Sequence, residues 1–250
     1  MKPITVITTS RRPNYYSKFV YETERKIGKY IEQYIVFVND STLKQQYNLL
    51  KIEFDKVNVV FAPDNYLFKK GFDSAYNLLL SQVKTKFAWM LFDTDEVILN
   101  NNSEFERIIE SDYNYIGIQT HMQRGDSTEY KYQLYNPKLV RWVGAVHENQ
   151  IFNGEIKSID IDSNAMFVKH KNAIDVDNES IKKTEDGFII IEKHPEGSDS
   201  FNRNLLYEAL TYRIVHENLY HKYRGWFIRH YEINKEVVDW YYQKALEKWG

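Results

Sequence analysis

Two aspartates, Asp93 and Asp95, stand one residue apart directly after an apolar run at residues 87–92. Carboxylate oxygens are the ligands that Mg²⁺ and Mn²⁺ prefer, and such a cation usually keeps substrate phosphates in its coordination shell. Acidic residues are also common where strands end, so a pair this short predicts either a metal site or the start of a solvated loop. The surrounding segments decide between the two.

A histidine and a glutamate, His147 and Glu148, follow a second β-like run. An imidazole beside a carboxylate at a strand end can contact a metal or a phosphate and can supply a general base. The same dipeptide recurs at His216 and Glu217, inside a helical pattern where we expect a surface position. Only the preceding segment RWVGAV, at residues 141–146, distinguishes the first pair.

The elements that must position these residues alternate between short apolar runs and longer amphipathic stretches. This alternation is typical of βαβ units. Strands are predicted at residues 4–8, 34–38, 57–61 and 87–92, and helices at residues 15–30 and 72–83. Three of these strands end in polar or small residues, at Thr8-Thr9-Ser10, Asn39-Asp40 and Asp93-Thr94-Asp95. Because ligands of open α/β sheets sit outside the carboxyl ends of the strands, we expect these ends to line one crevice.

After Asp95 the pattern changes to a short helix and further β-like runs, which we expect to extend the sheet and wall off one side of the crevice. The helix is predicted at residues 103–110 and the runs at residues 115–121, 130–135, 139–146 and 165–168. From residue 198 onward apolar residues recur every three or four positions, which predicts helices. The chain is therefore predicted to form one domain at residues 1–178 and a C-terminal helical extension at residues 179–250.

The composition excludes several classes of function. The 250 residues contain no cysteine, which removes disulfides, zinc ribbons and thiol nucleophiles from consideration. The formal net charge of −2 gives no broad electrostatic basis for binding nucleic acid or an anionic membrane. The mean hydropathy is negative, and the first residues form a strand pattern rather than a signal peptide. We therefore expect a cytoplasmic protein with no integral membrane segment and no nucleic-acid partner.

Two motifs, taken together, resemble one family of enzymes. The triplet at residues 93–95 and the segment RWVGAVHE at residues 141–148 resemble the D-x-D and R-W-x-G-x-V-H-E motifs of a branch of the family 2 glycosyltransferases. The resemblance covers about the first 170 residues. It implies the GT-A fold, an α/β architecture in which a Rossmann-like mixed sheet is flanked by helices.

The resemblance also implies roles for individual residues at the strand ends. Thr8 and Asp40 would hold the base and ribose of a nucleotide. Asp93 and Asp95 would hold a metal ion and, through it, the diphosphate. His147 and His170 are the histidines that the resemblance brings to the metal or the diphosphate.

Two further roles concern the phosphates and the acceptor. The segment GFDSAYN at residues 71–77 partly resembles a family motif in which an arginine stands at the position of Tyr76. A basic contact to the donor is therefore expected from Lys70, with Lys69, Arg11 and Arg12 as alternatives. Glu148 is the first candidate for the base that deprotonates the acceptor hydroxyl, and Asp126 is the second.

These features predict a metal-dependent glycosyltransferase that moves a sugar from a nucleotide-diphosphate donor to a hydroxyl acceptor with inversion. The expected cofactor is Mn²⁺ or Mg²⁺, and the resemblance favours a UDP-sugar as donor. The acceptor would be a saccharide or glycoconjugate, and the C-terminal helices offer a surface for a homo-oligomer. Two alternatives stay open: a Mg²⁺-dependent nucleotidyltransferase or phosphate-ester hydrolase, and a non-catalytic module that binds saccharides or a partner enzyme on the same fold.

Overall fold

The structure of the chain is a computed structural model that describes residues 2–63, 66, 70, 72–122, 128–143, 149–170 and 243. The chain divides into two compact units. The first comprises residues 1–64, 76–141 and 150–176, and it contains the site described below. The second comprises residues 65–75, 142–149 and 177–250. Apart from residue 243, the predicted C-terminal extension lies outside the described residues, so its helices and the boundary at residue 178 stay predictions.

The described residues form strands and helices in the alternating order that the sequence predicts for the first half of the chain. The strands are β1 (Ile4–Thr9), β2 (Ile31–Val38), β3 (Val57–Phe61), β4 (Phe87–Met90), β5 (Asp95–Leu99), β6 (Tyr115–Met122), β7 (Thr128–Tyr135), β8 (Val140–Val143), β9 (Asn149–Phe152), β10 (Ser158–Asp160) and β11 (Met166–His170). The helices are α1 (Pro13–Ile27), α2 (Lys44–Glu53), α3 (Phe72–Leu80) and α4 (Asn102–Glu110), and Ser41–Leu43 forms a short 3-10 turn. Among the described helices, none has the length and apolar character needed to cross a membrane.

One mixed sheet of nine strands organises the first unit. Its order is β3-β2-β1-β4-β7-β6-β11-β5, with β10 paired to β6. Strands β3, β2, β1 and β4 run parallel, so their carboxyl ends lie at the same edge of the sheet. Strand β7 is antiparallel to β4, and β5 is antiparallel to β11. Strands β8 and β9 form a separate two-stranded sheet.

The main core is formed by one face of the sheet together with apolar residues of helices α1, α2 and α4. Helix α1 begins with Pro13, whose fixed φ suits the first helical position, and it buries Tyr16, Phe19, Val20, Thr23 and Ile27 at helical spacing. In α4, Phe105 packs against Tyr30 at 5.0 Å and against Trp89 of β4 at 6.2 Å between ring centroids. The opposite face of β1 and β2 is also buried, at Ile7, Ile35 and Phe37, as expected for parallel strands.

Four elements were not predicted, namely helix α2 and the strands β5, β9 and β10. Helix α2 was not predicted, because Leu49 and Ile52 are exposed on it and obscure its amphipathic pattern. No strand was predicted directly after the triplet, whereas Asp95 is the first residue of β5. The antiparallel partner of β5 is β11, which lies far along the sequence, so local patterns carry little sign of this pairing. The other predicted elements of described residues are present, β3 with the predicted ends and the rest with shifted ends.

Candidate active site

Three polar residues lie just beyond neighbouring parallel strands at the carboxyl edge of the sheet. Ser10 follows β1, Asp40 follows β2 and Asp93 follows β4. Strand β1 lies between the other two strands, and the loop after it contacts both neighbours. Ser10 donates a hydrogen bond to Asp93, and Arg11 pairs with Asp40. The three strand ends therefore meet at one edge of the sheet, and the crevice that they were expected to line stays a prediction.

The carboxylate of Asp93 is almost fully buried, with its side chain 3% exposed. Its Oδ2 accepts a hydrogen bond from Ser10 Oγ at 2.6 Å and another from Arg12 Nε at 3.2 Å. Its Oδ1 accepts from Arg12 Nη2. A buried charge is tolerated only when it is paired and hydrogen-bonded, and the two-pronged guanidinium contact meets both needs.

A second layer of hydrogen bonds lies behind Asp93. The hydroxyl of Tyr47 in α2 donates to Ser10 Oγ at 2.8 Å, and the backbone N–H of Arg12 donates to the same oxygen at 3.2 Å. Burial raises the pKa of Tyr47 far above its ordinary value, against the opposing effect of its bond to Ser10. The tyrosine hydroxyl therefore keeps its proton at any working pH and remains a donor.

Asp95 has a different set of partners from Asp93. Its Oδ2 accepts the backbone N–H of Phe92 at 2.9 Å, which closes the turn between β4 and β5. Its Oδ1 lies 2.6 Å from His170 Nδ1, because the antiparallel register sets Asp95 opposite His170, at the end of β11. The Asp95 side chain is 1% exposed and that of His170 is 18% exposed. The His170 ring also packs edge-on against Phe92 at 5.3 Å.

The carboxylates of Asp93 and Asp95 each use both oxygens in hydrogen bonds within the protein. Carboxylate oxygen is the donor that Mg²⁺ and Mn²⁺ prefer, and His170 is the imidazole in contact with Asp95. Among the described residues, no group of three His, Asp or Glu side chains is arranged to hold a metal ion. The predicted metal site therefore stays a prediction.

Asp40 forms a small hydrogen-bonded turn after β2. Its Oδ1 accepts from the hydroxyl of Thr42 at 2.5 Å and from the Thr42 backbone N–H at 3.1 Å. Its Oδ2 pairs with Arg11 at 3.2 Å. The hydroxyl of Thr42 is the main cause that lowers the pKa of Asp40, and the bond from Arg11 also lowers it. Asp40 is thus an ionised carboxylate at the strand edge.

The remaining predicted site residues are distributed as follows. Thr8 is buried within β1 at 2% exposure, and its hydroxyl donates to the Thr9 carbonyl at 3.4 Å. Lys70 belongs to the second unit and is exposed. His147, Glu148 and the alternative base Asp126 lie outside the described residues, so their roles stay predictions.

Tyr47 is the site residue that the sequence analysis missed, and Ser10 was noted only as a strand end. Tyr47 lies on α2, the helix that was not predicted. The sequence signal for this helix is the spacing of Tyr47 and Leu50, which stand three positions apart and are the buried residues of α2. Arg12 was an alternative for the donor contact, and the structure shows that it pairs with Asp93.

The strand order and the polar carboxyl edge define a Rossmann-like α/β fold of the GT-A type, as predicted. Two solved structures of TarS from S. aureus share this fold. TarS 1-349 has a TM-score of 0.50 at 11% identity, over 90% of this chain and 74% of that one. TarS 1-349 in complex with UDP has a TM-score of 0.51 at 10% identity, over 91% and 78% of the two chains.

No protein-family model matches the chain, and no curated protein matches it. At identities near one in ten, the likeness to TarS establishes the fold alone. Any activity of the site must be argued from its residues.

Proposed function

We propose that the chain is a metal-dependent glycosyltransferase that uses a nucleotide sugar as donor. The observation that carries the proposal is that two buried carboxylates, Asp93 and Asp95, follow β4 at the carboxyl edge of the sheet. Asp93 also contacts Ser10 at the end of β1. In α/β sheets of this kind nucleotides bind at that edge. TarS, which shares the fold, is bound to UDP in one of its structures, which supports the proposal.

The loop after β1 provides the charges for the nucleotide. Asp40, held by Thr42 and Arg11, would accept hydrogen bonds from the base or ribose, beside the buried Thr8. Arg11 and Arg12 place two guanidinium groups between the ends of β2 and β4, where they would face the donor phosphates. A guanidinium suits this role because it forms paired hydrogen bonds with phosphate oxygens. Lys70 remains a further candidate for this contact.

A divalent cation, Mn²⁺ or Mg²⁺, would be held by Asp95 and His170, with Asp93 and His147 as further predicted ligands. When bound, it would neutralise the charge that develops on the departing diphosphate. The protein's own contribution is to hold these donors in place. The turn bond from Phe92 N–H fixes Asp95, and the ring of Phe92 supports the imidazole of His170.

The acceptor side of the proposal depends on Glu148. Its carboxylate would take the proton of the attacking hydroxyl, and displacement from the face opposite the diphosphate would invert the anomeric carbon. We propose a UDP-sugar as donor, a saccharide or glycoconjugate as acceptor and a cytoplasmic location, which the absence of cysteine permits.

Replacement of Asp95 by asparagine tests the proposal. Asp95→Asn keeps the shape of the side chain and an oxygen for Phe92 N–H, but it removes the charge. We expect Mn²⁺-dependent turnover of the donor sugar to fall by at least roughly 100-fold, the scale of losing a charged group that acts in the transition state. The measurement is release of nucleoside diphosphate together with identification of the glycosylated product.

A matched control is Asp112→Asn, which removes a carboxylate from an exposed ion pair with Lys157. This change should leave turnover unaltered. Full activity of Asp95→Asn would contradict the proposal. Release of a sugar phosphate with the nucleotide joined to an acceptor would instead favour nucleotidyl transfer, and release of a nucleoside monophosphate or of free sugar without glycosylated product would favour hydrolysis.

A further inference from the structure

Two hydroxyl groups connect helix α2 to the buried carboxylate of the candidate site. Tyr47 donates to Ser10 at 2.8 Å, and Ser10 donates to Asp93 Oδ2 at 2.6 Å. We call these two groups the hydroxyl relay. Ser10 is 5% exposed and Tyr47 is 0% exposed, so water does not compete for these bonds.

The direction of the relay follows from its ends. Asp93, paired with Arg12, accepts hydrogen bonds. The hydroxyl of Tyr47 retains its proton because burial raises its pKa. Ser10 therefore accepts from Tyr47 and donates its single proton to Asp93. The Ser10 hydroxyl is therefore held in one orientation by its two hydrogen-bond partners.

The relay also limits where Arg12 can lie. The guanidinium forms two bonds to Asp93, and the backbone N–H of Arg12 donates to Ser10 Oγ at 3.2 Å. Ser10 thus contacts both the carboxylate and the backbone of the residue that neutralises it. A shift of the Ser10 hydroxyl would disturb both members of the ion pair.

We propose that Tyr47 is a positioning residue that acts through Ser10 to hold Asp93 and Arg12 in the orientation that receives the nucleotide donor. The identity of the ligand rests on the proposed function. The effect of Tyr47 on the Asp93–Arg12 pair is independent of the proposed function, and it can be measured without any substrate.

The chain offers a closely matched control for this proposal. Tyr16 of α1 is also fully buried and packs against Tyr47 with 5.9 Å between ring centroids. Among the described residues, its hydroxyl has no hydrogen-bond partner. Tyr47→Phe and Tyr16→Phe therefore each remove one buried oxygen from the same cluster, but only the first breaks the relay.

The first measurement is steady-state kinetics with the donor sugar. We expect Tyr47→Phe to raise KM for the donor and to lower kcat/KM about tenfold, the scale of one buried hydrogen bond. Tyr16→Phe should stay within about twofold of the parent protein. Ser10→Ala should lower kcat/KM at least as much as Tyr47→Phe, and the double variant should be no worse than Ser10→Ala, because groups that act in series are not additive.

The second measurement is hydrogen exchange at the Arg12 Nε–H, followed by nuclear magnetic resonance in the absence of ligand. Exchange should become several-fold faster in Tyr47→Phe and remain unchanged in Tyr16→Phe. Unchanged exchange in Tyr47→Phe would overturn the proposal, as would equal effects of the two phenylalanine variants. If the parent protein turns over no nucleotide sugar, the proposed function fails, and the exchange result alone decides the role of Tyr47.

Discussion

The carboxylate of Asp93 is nearly sealed from water, and Arg12 is the cation that lies against it. Removing the cation leaves a buried charge without compensation, which is more costly than losing a surface pair. We expect Arg12→Gln to lower the free energy of unfolding by about 2–3 kcal/mol at neutral pH. Urea unfolding monitored by tryptophan fluorescence measures this difference.

The neighbouring arginine provides the control for this prediction. Arg11 pairs with Asp40 at 3.2 Å, but its side chain is 71% exposed. Exposed ion pairs contribute little to stability, so Arg11→Gln should cost less than about 0.5 kcal/mol. Equal losses in the two variants would show that burial of Asp93 does not determine the importance of its partner.

Asp40 gives a prediction about pH. Its pKa is lowered mainly by the hydroxyl of Thr42. A carboxyl whose folded-state pKa is lowered stabilises the fold above its ordinary pKa, and this contribution disappears as pH falls through the lowered value. Thr42→Val should raise the pKa of Asp40 toward the ordinary value, whereas Thr42→Ser should not. Carbon-13 resonance titration of Asp40 measures both, and an unchanged pKa in Thr42→Val would contradict the assignment.

At the scale of elements, helix α4 supports the strand that leads to the D-x-D triplet. Phe105 contacts Tyr30 and Trp89 with both rings in packing distance. We expect Phe105→Ala to lower the free energy of unfolding by about 3–5 kcal/mol, because the neighbouring rings cannot fully close the cavity. Ile52→Ala, at a position 81% exposed on α2, should change it by less than about 0.5 kcal/mol. Urea unfolding of both variants checks the contrast, and a loss below about 1 kcal/mol for Phe105→Ala would contradict it.

The parallel half of the sheet was predictable because its strands are short apolar runs that end in polar residues. Residues 57–61 were placed correctly, and β1, β2 and β4 required only shifts of their ends. Strand β5 was missed for a physical reason. Its hydrogen bonds come from β11, and no local pattern reveals a partner that distant. Helix α2 was missed because part of its apolar surface faces solvent.

The sequence predicted which strand ends lie together at the candidate site, but it did not predict which side chains contact one another there. The meeting of Ser10, Asp40 and Asp93 follows from three parallel neighbours. The pairing of Arg12 with Asp93 depends on where α1 begins, and the contact between Asp95 and His170 depends on an antiparallel register. Both contacts depend on the tertiary structure, and residue types alone do not specify them.

At the scale of the whole molecule, a ligand that binds only the folded state must stabilise it. UDP with Mn²⁺ at about 100 times its dissociation constant should add about 2.7 kcal/mol. For a chain of this size that corresponds to a rise in Tm of roughly 5–10 °C. Scanning calorimetry with UDP, with Mn²⁺ alone and with UDP plus a chelator checks the expectation. Stabilisation by free saccharide and not by UDP would favour a binding module.

The two aspartates of the D-x-D triplet contact different parts of the sheet. Asp93 depends on the loop after β1, whereas Asp95 faces His170 only because β5 and β11 share one register. Since side chains alternate along a strand, a one-residue shift of β11 against β5 would turn His170 away from Asp95 and leave Asp93 with its partners intact. The two aspartates of the triplet therefore depend on different parts of the chain. Mutations can remove the contact between Asp95 and His170 without changing the contacts of Asp93.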